Sequence, residues 1–339
     1  MKTAILAILL FCALIFPHEL GHFVVAKLCK VQVNEFALGM GPAIYKKQKG
    51  ETLYALRAIP IGGYCAMEGE NEESENPRAF NNKKAWQKIL VLVAGSLMNV
   101  LLCFIIMVAI AGTTGTTSTT IEQVQKDMPA YGVVQPGDQI LYLNDKKIDK
   151  WEDLNLGLNE SLDKSNPTEA KTVHLTVLRD GNEVTLTMTP KFDKKENRLL
   201  LGVVCKLDHN IGSALVNGVI GTKNLAIQMY EALDMLFTGK AGVEDLSGPV
   251  GIVTIVGQTS DYGIMYFFYL MAFISLNLAF VNMLPFPALD GGRILFVIIR
   301  KLTGKMISDE LEGNIHTVGM LLLLALMVYV TWNDIGRLF

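Results

Sequence analysis

The sequence His18-Glu19-Leu20-Gly21-His22 lies inside a nearly uncharged apolar run from Ala4 to Ala26. On a helix the two histidines fall one turn apart on the same face, a spacing that lets two imidazoles bind one Zn²⁺ ion. The intervening glutamate is then placed to act as a general base toward water. Ionisable side chains at membrane depth are costly and are expected to be functional. The segment therefore predicts a zinc site within a membrane-spanning helix; the competing interpretation is a chance match, with histidines satisfied by neighbouring helices.

Composition supports a membrane protein. Of the 339 residues, 50% are hydrophobic and only 19% are charged, and the mean hydropathy is +0.33. Soluble globular chains carry more charge, roughly a quarter of their residues. The net charge of −3 is too small to indicate a nucleic-acid partner. Five dispersed cysteines without a Cys-x-x-Cys pair argue against a disulfide framework and against a Cys-ligated metal.

Four segments are long and apolar enough to cross a bilayer: 4–28, 89–111, 264–284 and 318–332. Lys2 before the first segment resembles the start of a signal peptide, but no small-residue cleavage site follows, so we expect the segment to be retained. Pro17 removes one helix hydrogen bond just before His18, which neighbouring helices or water compensate in a membrane. The shorter run Gly291–Ile299 is expected to be a half-buried helix and not a fifth crossing.

The distribution of basic residues predicts the orientation. Ten Lys and Arg residues lie between positions 27 and 88 and four between 293 and 305, whereas Gly112–Thr120 has none. Basic loops stay in the cytoplasm. Both termini and residues 113–262 are therefore expected outside, and His22 roughly 8 Å from the cytoplasmic interface at about 1.5 Å per residue.

The external region has the pattern of a small globular domain. After the linker Thr113–Thr120, a Pro136-Gly137-Asp138 turn precedes an alternating strand, and two further strands flank the Asp180-Gly181 turn of a hairpin. This order resembles a PDZ domain. The following segment, Ile211–Phe237, has the spacing of an amphipathic helix at the outer interface.

Two histidines do not complete a catalytic zinc site, which needs a third protein ligand. Asp290 is the strongest candidate, because it follows the third apolar span and lies near the inner membrane edge, the depth expected for His18 and His22. The alternatives are that Asp290-Gly291 only turns the chain, or that His316, at the inner start of the fourth span, is the ligand.

Several motifs occur in the order found in the RseP-type site-2 proteases, which are intramembrane zinc metalloproteases. They are HELGH, Gly39-Met40-Gly41-Pro42, Ile59-Pro60-Ile61-Gly62-Gly63-Tyr64, Ala79-Phe80-Asn81-Asn82-Lys83, Ala94-Gly95-Ser96-Leu97-Met98-Asn99, Ser247-Gly248-Pro249-Val250-Gly251-Ile252 and Asn282-Met283-Leu284-Pro285-Phe286-Pro287-Ala288-Leu289-Asp290-Gly291-Gly292. With the PDZ-like region, the resemblance covers nearly the whole chain.

The resemblance implies a site and a substrate class. His18, His22 and Asp290 would bind Zn²⁺, Glu19 would be the general base, and Asn282, Pro285 and Pro287 would help to hold the substrate. Substrates would be single-span proteins of a bacterial inner membrane, either regulators similar to anti-sigma factors or signal-peptide remnants. The chain departs from some members in having one PDZ-like domain without a recognisable GLGF-type loop, which leaves gating as its expected role, and in having Ser96 where proline is frequent.

The segment Val31–Met67 alternates and contains several glycines, which predicts a β-sheet that dips into the inner leaflet. Gly39 and Gly41 lack side chains, so an edge there could pair with an unwound substrate as an added strand. The competing interpretation is that they form a tight turn.

The expected architecture is an α-helical polytopic membrane protein with four transmembrane helices, a membrane-dipping β-region and one extracytoplasmic PDZ-like α+β domain. Two other functions remain: a non-proteolytic PDZ membrane scaffold, and a metal transporter, which would spread its ligands along a pathway. The expected segments are 1–30 (first helix with HExxH), 31–85 (β-region and acidic loop), 86–112 (second helix), 113–205 (PDZ-like domain), 206–262 (amphipathic helix and GPVGI), 263–300 (third helix with NxxPxPxxDGG) and 301–339 (fourth helix).

Overall fold

A computed structural model describes residues 2–70, 74–161, 171–193, 198–240, 242, 247–304 and 309–337. Positions 71–73 of the predicted acidic loop lie outside the described residues. The chain divides into two compact units, Met1–Ile110 with Gly218–Phe339, and Ala111–Asn217. Each unit has its own packed core.

Eight helices are present in the described residues. They are α1 (Lys2–Leu28), α2 (Ala85–Thr114), α3 (Trp151–Glu160), α4 (Ile211–Phe237), α5 (Pro249–Tyr262), α6 (Ile264–Asn282), α7 (Asp290–Thr303) and α8 (Asp309–Gly336). The predicted helix at Ile211–Phe237 is α4, and the run Gly291–Ile299 lies in α7. With 14 residues α7 is about 21 Å long, too short to cross a hydrocarbon core of about 30 Å.

Four helices are long and apolar enough to cross a membrane among the residues described. They are Lys2–Leu28, Ala85–Thr114, Ile264–Asn282 and Leu311–Gly336, with mean hydropathies of 2.1, 2.7, 2.0 and 1.9. Each contains one of the four predicted apolar spans or most of it, which confirms a protein with several membrane-spanning helices. Helix α1 continues through Pro17 because proline removes a single hydrogen bond from a helix that is packed along its length.

The core of the first unit is built where helices meet through small or apolar side chains. Leu10 and Leu14 of α1, Cys103 of α2 and Leu276 of α6 are all almost fully buried in one cluster. Glycine permits the closest approach: a Cβ atom on Gly21 of α1 would collide with the backbone carbonyl of Ala94 in α2. Close backbone contact at small residues is the usual way in which helices associate in a membrane.

Two long antiparallel strands, β1 (Val33–Lys49) and β2 (Thr52–Met67), form the predicted β-region. Their pairing has several register shifts, and Phe36 of β1 has partners at both Tyr54 and Cys65, so β2 borders β1 on two sides. The ring of Phe36 also packs on α1, with its centroid 4.9 Å from that of Phe23. The region is thus fixed against the helix that carries the HExxH sequence.

The second unit contains a sheet in the order β10-β3-β4-β6-β7, with β5 paired to β4 and a separate pair β8–β9. The strands are β3 (Thr116–Val124), β4 (Gln139–Leu143), β5 (Lys146–Lys147), β6 (Val173–Arg179), β7 (Asn182–Met188), β8 (Lys191–Asp193), β9 (Arg198–Leu200) and β10 (Val203–Asp208). Asp180 and Gly181 both have positive φ, 50° and 82°, which is the geometry of the tight hairpin turn predicted between β6 and β7.

A buried ion pair fixes the sheet of the second unit. Asp138 is 1% exposed, and its two carboxylate oxygens accept hydrogen bonds from Nε and one terminal nitrogen of Arg179 at 2.8 and 2.7 Å. The backbone N–H of Gln135 donates a third bond at 2.8 Å. Burial opposes ionisation of Asp138, but the hydrogen bonds from Arg179 and Gln135 outweigh it and lower the pKa of this carboxyl.

Candidate active site

Helix α1 brings His18 and His22 together, as their spacing predicts. Both side chains are about nine-tenths buried, and their Nε2 atoms are 3.2 Å apart. The two rings meet edge to face, with centroids separated by 4.8 Å. Both Nε2 atoms therefore point toward one small volume.

Asp290, the first residue of α7, completes the cluster. Its Oδ2 atom lies 3.5 Å from Nε2 of His18 and 3.4 Å from Nε2 of His22. Among the described residues these three form the one group of His, Cys, Asp or Glu side chains with the geometry to hold a metal ion. They come from two helices separated by most of the chain.

The dimensions of the cluster fit zinc. Four ligands at roughly 2.0–2.1 Å around a tetrahedral Zn²⁺ lie about 3.3 Å from one another. The three observed separations, 3.2, 3.4 and 3.5 Å, are close to this value. Oδ2 of Asp290 is buried and makes no hydrogen bond, as expected of an oxygen that binds a cation. Two imidazoles and one carboxylate also form a donor set typical of catalytic zinc sites, in which water takes the fourth position.

Helix α2 packs against the two histidines of the cluster at Val91 and Gly95. Nδ1 of His22 lies 2.8 Å from the backbone carbonyl of Val91, so its N–H donates there and the lone pair of Nε2 is left for a metal. One turn further along, a Cβ atom on Gly95 would collide with the imidazoles of His22 and His18. Glycine at this position is therefore required for the two rings to fit between α1 and α2.

Glu19 lies on α1 next to the β-region. A Cβ atom placed on Gly63 of β2 would be 3.3 Å from Cγ of Glu19, so the strand passes directly beside this side chain. The carboxylate interacts electrostatically with both imidazoles and with Asp290. Gly63 was not predicted as a site residue. The sequence feature that could have indicated it is the Gly62-Gly63 pair within an alternating strand.

The loop before Asp290 carries the other predicted site residues. Nδ2 of Asn282, the last residue of α6, is 3.3 Å from Nε2 of His18. Pro285 and Pro287 follow in the loop, where Pro287 packs against Gly319 of α8. Ala288 has a positive φ of 77°, and its N–H donates to Nδ1 of His316 at 2.8 Å. His316, the alternative ligand, thus bonds to the loop and is outside the metal-binding group.

Gly39 and Gly41 lie in β1 with positive φ values of 85° and 82°. Gly39 approaches the backbone of Ile59, and the carbonyl of Gly41 accepts a hydrogen bond from Arg57 at 2.6 Å. These positions require glycine for their backbone conformation. Of the glycines in the β-region, Gly63 is the one that lies beside Glu19.

An HExxH helix long and apolar enough to cross a membrane, with a distant aspartate beside its two histidines, is the arrangement expected of a membrane-bound zinc metalloprotease. The chain belongs to peptidase family M50, whose sequence profile matches residues 6–326. This confirms the predicted family, the metalloprotease activity and the Zn²⁺ cofactor.

Similar proteins match along their whole length. A candidate zinc metalloprotease of Clostridium acetobutylicum is 36% identical over 334 residues, covering 98% of this chain and 96% of that protein. One from Clostridium perfringens is 38% identical over 335 residues, covering 98% of both chains. The regulator of sigma-W protease RasP of Bacillus subtilis is 29% identical over 425 residues, covering 100% of this chain and 99% of RasP.

Proposed function

We propose that this protein is an intramembrane endopeptidase that cuts the transmembrane segments of single-span regulatory membrane proteins, similar to anti-sigma factors, or signal-peptide remnants. The observation that carries the proposal is the position of His18, Glu19 and His22 on a helix long and apolar enough to cross a bilayer. A peptide bond reaches such a site most directly from within the membrane. The name of the Bacillus subtilis relative, a protease that regulates a sigma factor, supports a regulatory substrate.

In this proposal His18, His22 and Asp290 hold the metal. When bound, Zn²⁺ supplies Lewis acidity that makes water a better nucleophile and polarises a carbonyl oxygen. Glu19 takes the proton from the attacking water and delivers it to the nitrogen of the leaving amine. Glu19 lies beside the cluster and against β2, a position that would bring it within reach of both the water and an incoming backbone.

The substrate helix must unwind first, because every amide of a membrane helix is hydrogen-bonded to its own backbone. We infer that the unwound segment pairs with the β-region as an added strand, near the glycines of both strands. Gly63 supports this inference, because the strand runs past Glu19 there without a side chain in between. Gly39 and Gly41 would allow close backbone approach, while Asn282, Pro285 and Pro287 would hold the substrate from the other side.

We also propose the orientation and the domain assignment made from the sequence. The basic residues between positions 27 and 88 support cytoplasmic loops on that side, and hence extracytoplasmic termini in the bacterial inner membrane. The strand order and helix α3 support a PDZ-like domain over residues 113–205. Labelling single cysteines in a variant without the five native ones tests this: positions in 113–205 should react from outside and positions 74–84 from the cytoplasm. The reverse pattern would overturn the orientation.

Proteolysis itself is tested with purified protein and a panel of single-span peptides, with and without a zinc chelator. Glu19→Gln should bind zinc normally but lose cleavage by roughly 10²- to 10⁴-fold, because only the base is removed. Asp290→Ala should lose zinc, measured by elemental analysis. Full cleavage by the Glu19→Gln variant would overturn the assignment of Glu19 as base, and unchanged zinc in Asp290→Ala would overturn the ligand set. A PDZ membrane scaffold, the second candidate, would bind peptides without cutting any of them.

A further inference from the structure

Helix α2 presents three groups, each four residues after the previous one, toward the two histidines of α1. Residues at this spacing share one face of a helix. Val91 supplies a carbonyl to His22, and Gly95 leaves the space that both imidazoles occupy. The third position on this face is Asn99, whose side chain has no role in the chemistry described above.

Asn99 is fully buried at 0% exposure in the middle of an apolar helix. Its Nδ2 atom is 3.4 Å from Nδ1 of His18, and its Oδ1 is buried without a hydrogen-bond partner among the described residues. A buried amide that leaves its oxygen unsatisfied is unfavourable. The backbone carbonyl of Asn99 accepts a bond from Ser275 of α6 at 2.8 Å, so the residue is fixed between two helices.

The chemistry of His18 defines what Asn99 must supply. If Nε2 binds a metal, Nδ1 carries the ring proton and needs an acceptor. A half-turn of the Asn99 carboxamide exchanges two atoms of nearly equal size and brings Oδ1 to Nδ1. That arrangement satisfies Oδ1 and the Nδ1–H of His18 at once. Asn282 lies against the other ring nitrogen, Nε2, so it does not supply this acceptor.

We propose that Asn99 is a positioning residue that accepts the Nδ1–H of His18 and thereby holds its ring in the tautomer and orientation that coordinate zinc. The inference rests on the proposed role of His18 as a ligand. His22 uses a backbone acceptor and His18 a side-chain acceptor, so of the two only the support of His18 can be removed by substitution.

The test is the zinc affinity of the full-length protein in detergent, measured by competition with a chromophoric chelator. Asn99→Leu keeps the size of the side chain and removes the acceptor, so zinc affinity should fall roughly 10- to 100-fold, the usual cost of losing such a partner. Asn99→Asp restores an acceptor and should bind zinc as wild type does. Ser96→Ala, a buried polar side chain on the same helix, is the matched control and should also bind as wild type. The absorption spectrum of the Co²⁺-loaded protein reports the ligand geometry independently and should change in Asn99→Leu alone.

Wild-type affinity in Asn99→Leu would overturn the inference while leaving the zinc site intact. Equal losses in the Leu and Asp variants would also overturn it, since they would show that packing, not an acceptor, is needed. Absence of zinc binding by the wild-type protein would instead overturn the proposed site itself. Thermal unfolding of all variants in excess chelator should give the same midpoint, which separates metal binding from folding.

Discussion

The two compact units differ in whether particular buried polar atoms have a hydrogen-bond partner. In the second unit, the carboxylate of Asp138 is nearly inaccessible and accepts three hydrogen bonds, two of them from Arg179. In the first unit, Oδ2 of Asp290, Oδ1 of Asn99 and Nε2 of His316 are buried without a hydrogen bond. Within the described ranges, all buried side-chain atoms of this kind lie in the first unit.

This difference distinguishes a polar group that stabilises a fold from one that awaits a partner. Removing one partner of a satisfied buried pair leaves the other charge buried without compensation and therefore lowers stability. An unsatisfied buried carboxylate costs stability unless something else, here a cation, completes it. Loss of polar groups beside His18 and His22 should therefore affect metal binding and activity, and loss of Asp138 should affect the stability of the second unit.

Among the variants that test this comparison, Gly95→Ala has the largest expected effect. The added methyl group collides with the imidazoles of His18 and His22, the proposed ligands, and should displace them. Zinc affinity should therefore fall by about 100-fold, the upper end of the range of roughly 10- to 100-fold for the loss of a supporting group. Zinc titration against a chelator measures this. Gly313→Ala on α8 is the matched control, since a Cβ there meets nothing within 4 Å. Wild-type affinity in Gly95→Ala would show that α1 and α2 separate easily at this point.

Asp138→Ala should destabilise the second unit by about 1.5–3 kcal/mol, the range for a hydrogen bond to a charged group, and leave zinc content unchanged. Hydrogen exchange of the amides of β6 and β7 in the full chain measures the loss. Asp149→Ala is the control, because its partner Lys147 and Asp149 itself are both about two-thirds exposed. Reduced zinc content in Asp138→Ala would contradict the division between the units.

The same carboxyl predicts a pH dependence. Its pKa is lowered in the folded protein, so its contribution is present at pH values above the ordinary pKa of about 3.9 and is lost as the pH falls through the lower folded value. Below pH 4 the free energy of opening the second unit of the wild type, measured by the same amide exchange, should therefore be lower than at pH 7. Asp138→Ala should lack this pH-dependent contribution to stability. The stability of the second unit should therefore become similar in the two proteins in acid.

The smallest expected effect is that of His316→Leu. Without Nδ1, the N–H of Ala288 loses its acceptor and the loop that leads to Asp290 is less firmly held. Cleavage should fall by about tenfold, less than the 100-fold that a misplacement of 1 Å can cause, with zinc content unchanged. Thr331→Ala, which removes a hydroxyl that bonds within α8, should cleave as wild type. Loss of zinc in His316→Leu would restore this residue as a candidate ligand.

The local patterns could be predicted from the sequence, and the contacts between distant backbone segments could not. Hydropathy located the four apolar helices, and the Asp180-Gly181 turn located the hairpin, because both signals lie within a few residues. Asp290 could be named as a candidate because a carboxylate beside an apolar span is unusual. The carbonyl of Val91 could not, since every residue has one and no side chain marks the one that is used.

Pairings between distant residues could not be predicted either, because neither partner is marked in the sequence. Asp138 was interpreted only as part of a turn, because its partner Arg179 lies 41 positions away and neither residue is unusual alone. The segment 263–300, expected as the third membrane helix with its motif and a shorter half-buried helix after it, contains α6, the loop after Asn282 and α7. Its prolines indicated a break, but not that the second helix would begin at Asp290.

The distance along the chain between His22 and Asp290 has a consequence during synthesis. A ribosome that adds roughly 5–20 residues per second needs between about ten seconds and a minute to make the segment that joins them. During that time α1 can enter the bilayer, but Asp290, the proposed third ligand, does not yet exist. A nascent chain therefore has no complete catalytic centre while other newly made segments pass through the same insertion machinery, and its first chance to cut begins only after α7 has been made.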